Sequence, residues 1–119
     1  MPGDVPPVVP FIPLTPRTLR RCEVTLLAAL YWPLEEIDNA VDVAKLESGW
    51  RTAAWNRQGE DSRGLWQINV ADGGHPDLVG ANLFDPQINA YYAAEIWRAD
   101  GWGAWYNSAR ALHLLALGS

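Results

Sequence analysis

The sequence predicts a mainly α-helical domain with a small glycine-rich loop or β-hairpin lobe. Three observations lead there. Thr15-Pro16 and Asp85-Pro86 are helix-start signals, because the side-chain oxygen accepts unpaired amides and proline presets the first helical φ. Apolar residues recur after them at helical spacing. Between residues 56 and 82 the chain changes character, punctuated by Gly59, Gly64, Gly73, Gly74, Pro76 and Gly80.

In chain order, six of the nine prolines fall in the first sixteen residues, so residues 1–15 read as an extended arm or linker. Val8, Val9, Phe11 and Ile12 favour an arm packed along the domain, which would comprise residues 16–119. The Thr15 cap predicts a helix over 16–31, with Leu19, Cys22, Leu26, Ala29 and Leu30 near one face. Pro33 interrupts it. A second helix is predicted from residue 34 to 47 or 48, with Glu35, Glu36 and Asp38 at its dipole-positive start. Its apolar stripe is Ile37, Ala40, Val41 and Ala44, and Gly49 is placed to end it. Residues 65–70 are dense enough for a short strand. A helix from the Asp85 cap to about residue 100, a break at Gly101 and Gly103, and a last helix over 104–117 complete the chain.

With 119 residues the chain suits one domain. An apolar fraction of 49% against 19% charged predicts a folded globule rather than a disordered chain. No apolar run approaches the roughly 18–20 residues that span a bilayer, so membrane insertion is not expected. The N-terminus shows no basic-then-apolar secretory signal, which leaves phage encoding, a place in a virion, or release by another route as expectations. A net charge of −5 argues against nucleic acid as a partner. Cys22 is the single cysteine, so neither a disulfide nor a thiolate metal cage can form within the chain. His75 and His113 have no partner at metal-ligand spacing, and Asp72, His75 and Asp77 fall in a loop, so no metal and no cofactor are expected. The seven tryptophans build a core or stack on sugar rings; composition alone does not choose.

Glu47 is the leading candidate for chemistry. It lies beside Ala40 and Ala44 on the helical wheel, at the rim of the apolar stripe and in the last helical turn. Partial burial and the carbonyl end of the helix dipole both disfavour an anion there, which suits a general acid that must hold its proton near neutral pH. The alternative is an ordinary surface glutamate at a helix end.

The segments C-terminal to Glu47 decide between these readings. Glu47-Ser48-Gly49-Trp50, then Gly64-Leu65-Trp66-Gln67-Ile68, then Phe84-Asp85-Pro86-Gln87-Ile88-Asn89-Ala90, then the stretch around Tyr106-Asn107 resemble, in order, four blocks of the lysozyme-like superfamily. The chain is similar to soluble-type lytic transglycosylases and to goose-type and phage lysozymes. The resemblance implies a lysozyme-like domain whose small lobe flanks a substrate cleft, with peptidoglycan glycan strands as partner at the bacterial cell wall. It implies cleavage of the MurNAc–GlcNAc linkage with Glu47 as catalytic acid, either to water (muramidase) or to the sugar's own hydroxyl (transglycosylase). A monomer is favoured.

Hydrolysis usually needs two carboxyls. The resemblance makes Asp61 the best second candidate, ahead of Glu60 and Asp72, which read as solvated loop residues. Ser62 matches the family's loop serine. Gln67 and Asn69 alternate along the predicted strand and share a face that is either the cleft, where their amides would bond N-acetyl groups and hydroxyls, or solvent; the cleft reading is preferred for Gln67 and left open for Asn69, and Trp66, pointing the other way, could be core. Tyr106 matches a tyrosine that touches substrate or the acid. The chain departs from the pattern at Ser108, where Tyr-Asn-Ala-Gly is common, and at Ile96, where a tyrosine is usual; Tyr91 or Tyr92 could stand in for that tyrosine. The rival reading is a non-catalytic module that binds peptidoglycan or chitin, or serves structurally, with the same fold.

Overall fold

A computed structural model describes residues 15–115. Four helices, α1 (Arg21–Tyr31), α2 (Ile37–Ser48), α3 (Pro86–Asp100) and α4 (Tyr106–Ala111), surround a three-stranded antiparallel sheet of β1 (Trp55–Asn56), β2 (Ser62–Arg63) and β3 (Ile68–Asn69). The register pairs Asn56 with Ser62 and Ser62 with Asn69, so Ser62 is central. The fold is mainly α with a small β lobe, as expected. The proline-rich arm falls outside the described residues except for Thr15.

The first helix starts later than its sequence signal. Thr15-Pro16 caps nothing, because the backbone beyond it is committed elsewhere: Arg17 N–H donates to Thr52 Oγ1 (3.0 Å) and Leu19 N–H to the Trp50 carbonyl (2.9 Å). Helix α1 begins instead where the Arg20 N–H donates to Glu23 Oε1 (2.9 Å). That bond, together with Arg17, holds the Glu23 carboxyl below the usual carboxylate range despite its burial.

The buried face of α1 is also not the expected one. Val24, Leu27 and Ala28 are buried, whereas Leu26 and Leu30 are 48% and 47% exposed and Ala29 faces solvent. The helix is apolar nearly all round, so spacing offers two stripes. Glu23 would sit outward by its charge, but its bonds to Arg17 and Arg20 satisfy it inside and turn the other stripe to water.

Helix α2 obeys its C-terminal signal but starts three residues later than expected, because Leu34–Glu36 form a 3-10 turn after Pro33. Pro33 ends the preceding helix, and Gly49 closes α2 in the left-handed conformation (φ 63°), its N–H bonding the Lys45 carbonyl at 2.9 Å. Ala40, Val41, Val43 and Ala44 are buried, with Ile37 at the edge. Asp85 caps α3 through Oδ1, which accepts from the N–H groups of Gln87 and Ile88. The last helix is much shorter than expected. A 3-10 turn occupies Gly101–Trp105, and α4 ends in a left-handed residue, His113 (φ 58°). The His113 and Leu114 N–H groups reach back to the Arg110 and Ala109 carbonyls (3.2 and 2.8 Å), a Schellman closure made without glycine.

Only Ile68 and Asn69 of the strand predicted over 65–70 pair as strand; residues 64–67 form a turn. Asn89 on α3, fully buried, holds it. Its Oδ1 accepts from the Trp66 N–H, and its Nδ2 donates to the carbonyls of Arg63 and Leu83, all at 2.9 Å. Gly64 (φ 78°) is required beneath that clamp, since a Cβ there would lie 2.1 Å from the Leu83 oxygen and 2.3 Å from Asn89 Nδ2. Gly64→Ala is therefore expected to cost more than about 2 kcal/mol, read as a lowered urea midpoint with unchanged slope.

Most tryptophans are core. Trp32 stacks on Trp102 (6.1 Å between centroids) and packs on Trp66 (5.0 Å), and Trp105 adjoins Trp102. The Trp66 and Trp50 indole N–H groups reach backbone acceptors, the carbonyls of Ala40 and Val41, both at 3.0 Å, while Trp102 donates to Glu36 Oε1 (2.8 Å) and the buried Trp32 N–H has no partner among the described residues. Trp55 is the exposed exception, with Arg57 over its ring at 4.5 Å.

Candidate active site

Helix α2 delivers Glu47 to the boundary between the helices and the β lobe. Its last turn is fixed by the Gly49 closure and by the buried Ser48, whose Oγ donates to the Ala44 carbonyl (3.0 Å) and accepts from the Trp50 N–H (3.1 Å). Glu47 is half-buried. Burial is the main cause that pushes its carboxyl above the usual range, and the charge of Glu60 adds to the rise. A hydrogen bond from Ser108 Oγ to Glu47 Oε2, at 2.5 Å, opposes it. A side chain so placed keeps its proton to higher pH than an ordinary glutamate and can give it to an oxygen that approaches from the open side.

Asp61 has a different environment. The Arg63 guanidinium grips it at two points (2.8 and 2.9 Å) and the Trp55 indole N–H at a third (2.7 Å). These bonds hold its carboxyl below the usual range. It clasps β1 to β2 as a committed anion. Of the two neighbouring acids it is Glu60 whose field reaches Glu47, and the buried Ser62 hydroxyl donates to Glu60 Oε1. From sequence, Glu60 is a weaker second-acid candidate than Asp61, with solvation in the loop the favoured reading.

Gln67 and Asn69 line one cavity of about 350 Å³ together with His75, Ile96, Asp100 and Trp105. They share it although Gln67 is a left-handed turn residue (φ 48°) rather than part of a strand. The Gln67 Nε2 donates to the carbonyls of Ala54 and Gly64 (3.0 and 2.9 Å), so its Oε1 is the atom left to meet a ligand N–H. Asn69 Oδ1 accepts from the N–H groups of Asp61 and Ala71 (3.0 and 3.1 Å), which leaves its Nδ2 to offer. Trp66 is buried, as expected, and so is Tyr92, which packs edge-on against Tyr91.

Glu47 is not in the cavity lining. The two are joined through the start of α4: Trp105 lines the cavity, and three residues later Ser108 bonds Glu47. Tyr106 stands 57% exposed at the head of α4, and it is Ser108 that reaches the carboxylate. Two residues essential to this geometry, Ser108 and Asn89, have no role assigned from sequence. Both leave a trace there, Ser108 as a departure from the family pattern and Asn89 as the asparagine of its third block. Among the described residues no three His, Cys, Asp or Glu side chains cluster as metal ligands, and no helix is long and apolar enough to cross a membrane.

Residues 32–107 match a protein family described as a lysozyme like domain. The matched span begins just before α2 and takes in the β lobe and α3, so it contains Glu47, Gly64, Gln67 and Asn89. No curated protein matches the chain.

Proposed function

The chain belongs to the lysozyme-like domain family, a glycosidase family of the cell wall at the level of class, and from that premise we propose that it cleaves the MurNAc–GlcNAc linkage of peptidoglycan with Glu47 as general acid and base. The observation that supports this is the half-buried Glu47 carboxyl at the end of α2, inclined by burial to hold a proton and seated where helices meet the β lobe.

The chemistry closes on one residue. Protonated Glu47 gives its proton to the glycosidic oxygen as the carbon–oxygen bond breaks and positive charge develops on the sugar ring. The carboxylate left behind then takes a proton from the hydroxyl that attacks that ring carbon, which restores the acid. If the hydroxyl is the sugar's own, the product is an anhydro-muramyl end; if it is water, the product is a reducing end. The Gln67 Oε1 and Asn69 Nδ2, facing one cavity, are suited to the N–H and carbonyl of N-acetyl groups. Ser62 acts through Glu60, and Tyr106 lies open to the glycan at the head of α4.

Mass spectrometry of purified peptidoglycan after incubation with the protein tests the proposal. Anhydro-muramyl or reducing muramic ends, absent with Glu47→Gln, support it and identify the nucleophile. Binding to the wall without either product would overturn it in favour of a binding module. The clasped state of Asp61 carries its own expectation. Asp61→Asn should lose far less activity than Glu47→Gln, because an anion held by Arg63 is a poor proton carrier. Equal losses would restore a two-carboxylate hydrolase.

A further inference from the structure

Ser108 is the third residue of α4, where a serine hydroxyl has nearby backbone groups of the preceding turn to bond. Here the hydroxyl instead crosses to α2 and donates to Glu47 Oε2 at 2.5 Å, from a buried position. A hydroxyl has one proton to donate, and this one is committed to one of the two carboxyl oxygens. In the neutral acid the oxygen that accepts a hydrogen bond is the carbonyl oxygen, so the acid's own proton belongs on Oε1.

We propose that Ser108 is a positioning residue for Glu47: through its bond to Oε2 it fixes the carboxyl plane, directs the transferable proton to Oε1, and eases that proton's release. The inference rests on the reading of Glu47 as the acid. The surroundings explain why such a counterweight is useful. Burial and the charge of Glu60, in the loop before β2, both act to retain the proton, and the Ser108 bond acts against them. Lys45 on α2 and Tyr106 and Arg110 on α4 are exposed, and Glu60 is the charged side chain that bears on Glu47.

The test compares Ser108→Ala and Ser108→Thr in the full chain, by carboxyl NMR titration of Glu47 and by the pH profile of peptidoglycan cleavage. Removal of the donor should raise the Glu47 midpoint. An acid must be protonated to work, so the alkaline limb of kcat should move to higher pH by the same shift, and kcat at the optimum should fall about tenfold as the carboxyl loses its alignment. Ser108→Thr keeps the hydroxyl and should return midpoint and limb to the wild-type values. Should Ser108→Ala fail to fold, Ser108→Cys, near in size and a weak donor, makes the same comparison. A folded variant without the hydroxyl and with an unmoved midpoint and limb would overturn the proposal. If the wild type releases no glycan fragments, the acid reading fails by itself, and the NMR midpoint still decides whether Ser108 governs the Glu47 proton.

Discussion

Glu47→Gln is expected to remove glycan cleavage, by about 10²–10⁴-fold or more, while raising the thermal midpoint of the protein. The two effects share a cause. Because burial lifts the folded-state pKa of Glu47 above its unfolded value, the ionised carboxylate is less favourable in the folded chain than in the unfolded one. At acid pH, below the unfolded pKa, both states are protonated and no penalty exists. As pH rises toward the raised folded pKa the penalty develops, and above it the penalty is complete. Glutamine retains an oxygen to accept the Ser108 hydroxyl but has no charge to bury. Calorimetry should therefore show a variant–wild-type difference that is larger at neutral than at acid pH. A variant less stable than wild type at neutral pH would refute the burial argument.

Asn89→Ala should be the most damaging single change to the fold. It leaves the Trp66 N–H and the carbonyls of Arg63 and Leu83 without their partner, inside a region closed to water. Unmade hydrogen bonds of buried groups cost about 1–3 kcal/mol each, and partial relaxation reduces the sum, so a loss of about 3–5 kcal/mol is expected. For a domain of this size that lowers the thermal midpoint by roughly 15 °C or more. Asn89→Asp is a sharper version: it keeps the acceptor for Trp66 but replaces the donor with a second acceptor against two carbonyls, and should be no better tolerated. Activity should fall with stability, because the same clamp sets the turn that carries Gln67.

The second and third helices are legible in the sequence because their signals are local. A glycine after α2 and an aspartate–proline pair before α3 act within one turn, and both operate as expected. The elements that sequence misplaces depend on distant partners. The Thr15-Pro16 start is overridden by the strand-like contact of residues 17–19 with residues 50–52, some thirty-five positions away. The face of α1 is inverted because a glutamate, polar by type, is satisfied inside by Arg17. The strand over 65–70 gives way to a turn because Asn89 offers the backbone a better arrangement than a ladder. Glu47 is raised to a candidate by its helical position and singled out by the family-like blocks that follow it, whereas the exchange of Asp61 for Glu60 as its electrostatic neighbour requires the fold of the lobe. Spacing in the chain says nothing about which of two adjacent carboxylates an arginine nearby will claim.

Trp66 has a mechanical consequence. Its backbone N–H is held by Asn89 on α3, its backbone carbonyl by the Trp105 indole (2.7 Å), and its own indole by the Ala40 carbonyl on α2. One residue thus ties the small sheet to three separate helical segments. The sheet is riveted rather than hinged, since swinging it outward would break three buried bonds at once, and the cavity that Gln67 and Trp105 line is braced by the same bonds. Under the proposed function no jaw closes on the polymer. A glycan strand would then meet a lobe already fixed in place on its Trp66 side, and the bending needed to reach the transition state would fall mainly on the sugar ring.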